Sequence, residues 1–465
     1  MQSTKHKVGE VYEQPLSPLS RVFHEPSINL HIVAIFGMKT LVNLEVFKAD
    51  LVHVMDKNHR FSSLQVCKKN GSMIWVPMKV NMDNHVVVPE LDPNMESADK
   101  FVEDYISNLS RSNLDNSKPL WDLHILNTKT SHAHSTCIFR FHHSLGDGMS
   151  LMNLLLVGSR KASDPKALPT LPGDKRSSRL TRVTNLRSIF MVIWNSIVGL
   201  VMLLLTALFL EDTKTPLKSS SPVGYRPRRI VHISVSLVDI KTVKKAMNVT
   251  VNDVIAGVIQ AALHRYINRR YGGGENNNKV PKDVRLRANL VFNLRASTKV
   301  NVSGDTPSHG KWGNKVVFML LPLDVRHKED PLDYVREANT IMERKKASFE
   351  PFFTWFFTNL VMKLFGVKIA VKMIKTFVSR TTLWFSNVPG PQEEISLCRH
   401  EVAYLAPSVY GQSTALVIHV VSYVDKVIFV LSVDEEIIPD SQNLCEDLQQ
   451  ALHHIKTHVS AAECV

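Results

Sequence analysis

Phe141-His142-His143-Ser144-Leu145-Gly146-Asp147-Gly148 is the stretch on which the reading of this chain turns. It is an H-H-x-x-x-D-G pattern set where one local periodicity gives way to another. Before it, Cys137, Phe139 and Phe141 alternate with Ile138, Arg140 and His142, the period of a strand. After it, Leu151, Leu154, Leu155 and Val157 recur at helical spacing within 149–161. Such a strand carries His143 at its end, on the side of Phe139 and Phe141. Gly146 and Gly148 are expected to permit a sharp turn and close backbone approach. An imidazole held there is suited to take a hydroxyl proton, because its unperturbed pKa lies near neutrality. Asp147 is placed to hydrogen-bond the loop or neutralise an arginine.

The neighbouring residues narrow the chemistry. Ser144 adjoins the histidines, but the chain contains no G-x-S-x-G nucleophile elbow. Direct attack by an activated acceptor hydroxyl on a bound thioester is therefore more economical than a covalent acyl-enzyme. The tandem His-His lacks a third ligand and the usual ligand spacing, so no metal is expected. The competing reading is structural: two histidines satisfied within a strand-end hydrogen-bond network.

Outward from the motif, strands are predicted at 29–36, 74–80 and 135–141, with helices at 45–56 and 98–110, a layered α/β pattern. Residues 162–187 are rich in proline, serine and basic residues and predict an exposed crossover. A strand at 230–235 follows, then a helix over 254–266 capped by Asn252 or Thr250. A flexible loop covers 272–278. Further strands are predicted at 286–293, 315–321, 415–424 and 426–433, and a helix over 441–459 closes the pattern. A chain of 465 residues exceeds what one hydrophobic core usually supports. The expected division is 1–175 as an N-terminal subdomain carrying the motif, 176–229 as a basic crossover, and 230–465 as a C-terminal subdomain.

Two segments speak of lipid. Residues 188–210 read SIFMVIWNSIVGLVMLLLTALFL, without a charge and interrupted by Asn195, Ser196 and Thr206. As a helix this stretch is long enough for a hydrocarbon layer of about 30 Å, and membrane contact is a better reading than a long core helix. Lys175, Arg176, Arg179, Arg182 and Arg187 precede it; Lys214, Lys218, Arg226, Arg228 and Arg229 follow it. With both flanks basic, charge gives no orientation. Residues 351–378 open with an aromatic cluster and then carry Lys363, Lys368, Lys372 and Lys375 with no acidic residue. An amphipathic helix resting on lipid and a core-facing helix with a solvated lysine side both fit.

Composition sets the remaining bounds. Lys+Arg number 56 against 43 Asp+Glu, a formal charge of +13, which fits nucleic acid, an anionic membrane or an acidic ligand. No nucleic-acid signature accompanies the excess, so no nucleic-acid partner is expected. Cys67, Cys137, Cys398, Cys445 and Cys464 are scattered without C-x-x-C spacing, which fits a reducing, cytosol-facing environment. The first residues lack the apolar region of a secretory signal, and the sequons at Asn108, Asn248 and Asn301 are read as unused.

The motif resembles the signature of the CoA-dependent acyltransferase superfamily, and within it the chain resembles the plant wax ester synthase/diacylglycerol acyltransferase family. Pro15-Leu16-Ser17-Pro18, Pro119-Leu120-Trp121, Asn252-Asp253-Val254, Asn293-Leu294-Arg295 and Ser386-Asn387-Val388-Pro389-Gly390-Pro391 follow in that family's order and cover nearly the whole chain. The Asn293-Leu294-Arg295 motif departs in one respect: Ala296 stands after Arg295 where proline is frequent in that family. The resemblance implies an α/β (α+β layered) fold of two chloramphenicol-acetyltransferase-like subdomains, a pseudo-dimer with the active-site tunnel between them. It implies His143 as general base, His142 and Asp147 as supporting residues, and Gly148 at the motif turn. Pro119, Trp121, Asn252, Asp253, Asn387 and Gly390 are expected to support the substrate site. Simple packing, a helix cap and a turn account for the same residues equally well.

The expected reaction transfers a fatty acyl group from acyl-CoA to a long-chain alcohol or to diacylglycerol. Acyl-CoA is a substrate, and no cofactor is expected. Membrane lipids are expected partners, at the endoplasmic reticulum membrane with a cytosol-facing site, the plasma membrane being the alternative. Because both halves must close on one site, they must share one side of the bilayer. Residues 188–210 are then re-entrant, interfacial or packed in the protein. Competing readings are acyl transfer to a soluble alcohol or amine, a peptide-forming condensation domain, and a non-catalytic lipid-binding protein of the same fold.

Overall fold

The computed structural model describes residues 14–69, 71–91, 95–173, 185–218, 226–272, 281, 283–295 and 312–463. The basic run from Lys175 to Arg182, most of the 272–278 loop, Ala296, Asn301 and Cys464 lie outside them.

Two large mixed sheets organise the chain. The first has 7 strands in the order Val86–Val87, Trp121–Leu126, Ser135–His142, His31–Met38, His400–Tyr410, Ile395–Leu397 and Ser159–Lys161. The second has 6, in the order Val316–Leu323, Leu286–Asn293, Leu383–Val388, Leu416–Tyr423, Lys426–Val433 and Arg229–Ser236. In the motif strand His142 pairs with His31 and Phe141 with Ile32 across an antiparallel ladder. Both faces of that strand are buried, so its polar members find partners inside the protein: Arg140 Nε donates to Asp122 (2.8 Å), and His142 Nδ1 lies 2.6 Å from Ser144 Oγ.

The expected division at residue 230 does not follow the sheets. His400–Tyr410, from the C-terminal part, lies beside His31–Met38 in the first sheet, and its Tyr410 opposes His31. A strand with Pro407, His400 and Glu401 gives a weak strand signal from sequence. Pro407 is tolerated because Ile395–Leu397 pairs only with residues 400–401, so the far side of the strand is unpaired at 407. That free side faces the cavity described below, which Pro407 helps to line. Each sheet has its own apolar core, the first including Ile35, Phe47 and Phe141, the second Ile259, Leu321 and Phe429.

The apolar segment forms the helix Leu186–Leu208, the one described helix long and apolar enough to cross a membrane. Its buried positions are Val192, Ser196, Gly199, Leu203 and Thr206, a narrow stripe at steps of 3 and 4. The residues that interrupt the apolar run are therefore the ones that dock it. Asn195 Nδ2 donates to the Ala347 carbonyl (3.2 Å), and Ser196 Oγ accepts from the Phe349 N–H (2.8 Å). Thr206 Oγ1 accepts from the buried Arg287, which is itself paired with Asp212. The aromatic and lysine-rich segment forms Glu350–Ser379, broken at Gly366, whose φ of 78° lies in the left-handed region.

Candidate active site

A cavity of about 1260 Å³ lies between the sheets. Phe139, Leu405 and Val409 of the first sheet and Leu290, Phe385 and Val420 of the second line it. It exceeds the ~300–1,000 Å³ of ordinary small-molecule sites.

His143 stands just past the end of Ser135–His142 and lines this cavity together with Phe139 and Phe141, as the strand alternation predicts. Its backbone N–H donates to the Leu30 carbonyl (2.8 Å), and the Phe23 ring packs on the imidazole at a centroid distance of 4.3 Å. The decisive contact comes from Asn314. Its Nδ2 donates to the His143 carbonyl oxygen (2.9 Å) and to Ser20 Oγ (3.0 Å), which turns Oδ1 toward His143 Nδ1 at 3.2 Å. An amide oxygen only accepts, so Nδ1 carries the proton and Nε2 keeps its lone pair for a ligand. Burial pulls the His143 pKa below the ordinary histidine value, with the Asp147 charge acting in the opposite direction. The ring is neutral at pH 7 and ready to accept a proton.

Asp147 is fully committed to structure. It caps the helix Gly148–Gly158, accepting from the Ser150 N–H (3.0 Å), and also accepts from Arg295 Nη1 (2.8 Å) and the Lys315 N–H (2.9 Å). The Asp147–Arg295 pair, both side chains under a tenth exposed, joins the motif to the second sheet. The motif loop is held further by Arg60 Nη1 and Trp312 Nε1, which both donate to the Leu145 carbonyl.

The two histidines have separate surroundings. His142 is buried away from the cavity, its Nδ1 2.6 Å from Ser144 Oγ and its ring edge-on to His24 and His31. Burial holds it well below its ordinary pKa.

The expected turn glycines act by space rather than by conformation. Neither Gly146 nor Gly148 has positive φ. A Cβ at Gly146 would crowd Ser150 and Trp312, whereas one at Gly148 would make ordinary contact with Val388 at 3.5 Å.

The other predicted residues divide cleanly. Asn252, Asn387 and Gly390 line the cavity, and Asn387 Nδ2 donates to Asn252 Oδ1 (2.6 Å). A Cβ on Gly390 would sit 2.0 Å from the Ser422 carbonyl oxygen, so only glycine fits. Pro119, Trp121 and Asp253 are not among the lining residues. Trp121 is fully buried, stacks on His85 and donates from Nε1 to the Phe61 carbonyl (2.9 Å). The Leu120 carbonyl accepts from the His142 N–H (2.9 Å), so Pro119-Leu120-Trp121 supports the motif through the main chain. Thr250, not Asn252, is the N-cap, and Asp253 completes a capping box with it. The helix starts at Val251, which leaves Asn252 free to face the cavity.

Several positions that contact His143 or line the cavity carry no signature in the sequence. Asn314, Phe23 and Ser20 are remote in sequence from the motif they serve. His419 lines the cavity with its Nδ1 3.4 Å from Ser408 Oγ, and burial lowers its pKa to about 4. It looks like an ordinary strand residue in sequence.

Comparison with known proteins assigns the chain to a family. A profile described as the wax ester synthase/diacylglycerol acyltransferase catalytic domain matches residues 41–255, and one described as the WS/DGAT C-terminal domain matches 312–456. The chain belongs to the wax ester synthase/diacylglycerol acyltransferase family. It is 42% identical to wax ester synthase/diacylglycerol acyltransferase 3 of Arabidopsis thaliana, covering 95% of this chain and 93% of that one. With number 4 from the same plant identity is 40%, over 97% and 91%.

Among solved structures, the wax ester synthase/diacylglycerol acyltransferase of Marinobacter aquaeolei VT8 shares the fold, with a TM-score of 0.63 at 19% identity, over 96% and 99% of the two chains. The first condensation domain of the CDA synthetase also shares it, with a TM-score of 0.57 at 12% identity and 96% of each chain covered.

Proposed function

We propose that this chain esterifies a long-chain alcohol, a diacylglycerol or both, with fatty acyl-CoA as donor and His143 as general base. As a family member it is an acyltransferase. The observation that carries the mechanism is the pinned imidazole: Nδ1 is occupied by Asn314, and Nε2 is left for a substrate in a large, mostly apolar cavity. His143 Nε2 takes the acceptor hydroxyl proton as the oxygen attacks the thioester carbonyl carbon. The C–S bond then breaks, and the leaving sulfur receives that proton from the imidazolium. Acyl-CoA and alcohol become ester and free CoA, with the histidine restored.

The cavity wall supports both substrates. Lys241 lies along it and supplies positive charge for phosphates, whereas Lys345 and Lys346 on the same wall are paired with Glu350 and with Asp253 and Glu343; Phe141, Phe318 and Trp384 give apolar surface for chains. The tethered motif loop speaks against the non-catalytic reading, because the Asn314 contact fixes the protonation pattern that a base requires. The proposal places the protein at the endoplasmic reticulum membrane with the cavity on the cytosolic side, as the family resemblance implies.

Competition between hexadecanol and diolein for radiolabelled palmitoyl-CoA, with products separated by thin-layer chromatography, tests the reading. Wax ester, triacylglycerol or both should form. Transfer to neither acceptor overturns it.

A further inference from the structure

Exposed aromatic and aliphatic side chains on the described surface concentrate on the helices Leu186–Leu208 and Glu350–Ser379, which pack against each other. Phe190, Leu364 and Phe365 are each 63% exposed, and Trp194 and Phe356 more than half. A helix that is apolar all round belongs in a core or in lipid. Leu186–Leu208 buries only one stripe, so the rest of its apolar surface lacks a partner within the chain. Contiguous exposed apolar patches of this kind are rare on soluble monomers and mark docking surfaces.

Three observations identify the partner as a bilayer surface. Lys363, Lys368, Lys372 and Lys375 are exposed on the second helix, and residues 351–378 contain no acidic side chain. An apolar face fringed by lysines complements anionic head groups over acyl chains. The docked stripe ties Leu186–Leu208 lengthwise to the second subdomain through Asn195, Ser196 and Thr206, so this helix lies along the protein and not through a membrane. Finally, Phe352 belongs to the exposed face, at 57% exposure, and also lines the His143 cavity, as do Ser348 and Pro351 beside it. Glu350–Ser379 also packs on the short helix Pro18–His24, whose Phe23 covers the His143 ring. The active site is thus directly behind the apolar face.

We infer that this two-helix face docks in the plane of an anionic bilayer surface and that the cavity mouth at Phe352 opens into the lipid. A long-chain hydroxyl substrate then passes from bilayer to His143 without crossing water. The inference rests on the acyl-transfer reading for the identity of that substrate, and the docking itself does not depend on it.

The test compares full-length wild-type protein, the triple variant W194D/F356D/F365D and the charge variant K363E/K368E/K372E/K375E. None of these positions lines the cavity. Flotation is measured with phosphatidylcholine vesicles with and without phosphatidylserine, and CoA thiol release with diolein or hexadecanol in vesicles and with water-soluble butanol. The wild type should float with both vesicle types, more strongly with phosphatidylserine. The triple variant should lose flotation and raise KM for vesicle-borne diolein about tenfold or more while butanol turnover stays within about twofold. The charge variant should lose the phosphatidylserine preference, at about tenfold in binding. Wild-type-like flotation of both variants, or equal loss on diolein and butanol, overturns the inference. If the triple variant fails to fold, the charge variant, altered only at exposed lysines, decides alone. Absence of thiol release from wild-type protein with diolein, butanol and vesicle-borne hexadecanol alike refutes the acyl-transfer reading, while flotation still judges the docking face.

Discussion

One carboxamide holds His143 by both its side chain and its main chain: Asn314 Oδ1 faces Nδ1 at 3.2 Å while Nδ2 donates to the residue's own carbonyl oxygen at 2.9 Å. His143 follows a strand of the first sheet and Asn314 precedes a strand of the second, so a contact between the two sheets sets the tautomer of the base. Asn314 touches the base and not the reacting atoms, which makes it a positioning residue.

Asn314→Leu removes the acceptor at Nδ1 and frees the tautomer, so kcat should fall about 10–100-fold with KM little changed. Asn314→Asp restores an acceptor and adds a negative charge, which favours the imidazolium. The acid limb of its kcat–pH profile should move upward, with partial recovery of rate. A leucine variant with wild-type kcat, or an aspartate variant with an unmoved limb, contradicts this role.

Arg295→Met strips Asp147 of its buried cation while leaving its two backbone donors. Removing one partner of such a pair costs about 3–5 kcal/mol, because the other charge stays buried. Urea unfolding should show that loss. A midpoint unchanged from wild type would mean the pair contributes nothing to joining the motif to the second sheet.

Burial holds several histidines below their ordinary range: His31 near 3, His232 and His419 near 4, with His24, His142 and His143 also lowered. Unfolded histidine titrates near about 6.5, so below that pH the unfolded chain binds protons that the folded chain refuses. Stability is therefore complete above about pH 6.5 and declines as pH falls, by about 1.4 kcal/mol per unit for each histidine that stays neutral. Thermal melts across this range should show Tm falling on acidification. A flat profile down to about pH 5 would contradict the neutral, buried assignment.

Gly390→Ala places a methyl against the Ser422 carbonyl, a clash that the parallel strands Leu383–Val388 and Leu416–Tyr423 must absorb by moving. Overpacking of this kind costs about 1–3 kcal/mol. Calorimetry should show a lowered Tm, together with reduced turnover because Gly390 and Ser422 both line the cavity. Gly148→Ala, with open contact to Val388, should leave Tm nearly unchanged. The opposite ranking would refute the packing argument.

Much of the first sheet's centre and of the motif was legible because its signals are local. Strand alternation predicts that Phe139, Phe141 and His143 share a side, and the structure brings all three to the cavity. The strand predicted at 286–293 has the same bounds in the structure. His400–Tyr410 was missed because Pro407 and its charged start obscure a strand whose place depends on a partner more than 350 positions away in sequence, His31–Met38. Trp121 and Asp253 were legible as motif members but not by place, since packing and capping decide that they stand outside the cavity. Asn314 lies between a tryptophan–glycine pair and a strand, with no local pattern to announce a contact 171 positions away. Residues 188–210 gave their apolarity plainly, whereas the meaning of Asn195, Ser196 and Thr206 emerged only once their partners on other elements were in place.

The central claim is that His143 Nε2 takes the acceptor proton. The measurement that addresses it most directly is single-turnover ester formation from labelled palmitoyl-CoA and hexadecanol or diolein by wild type and His143→Ala, with folding of both checked by thermal melting. The account predicts ester from the wild type and a fall of about 100-fold or more in the folded variant. Ester formation by folded His143→Ala at the wild-type rate would contradict it.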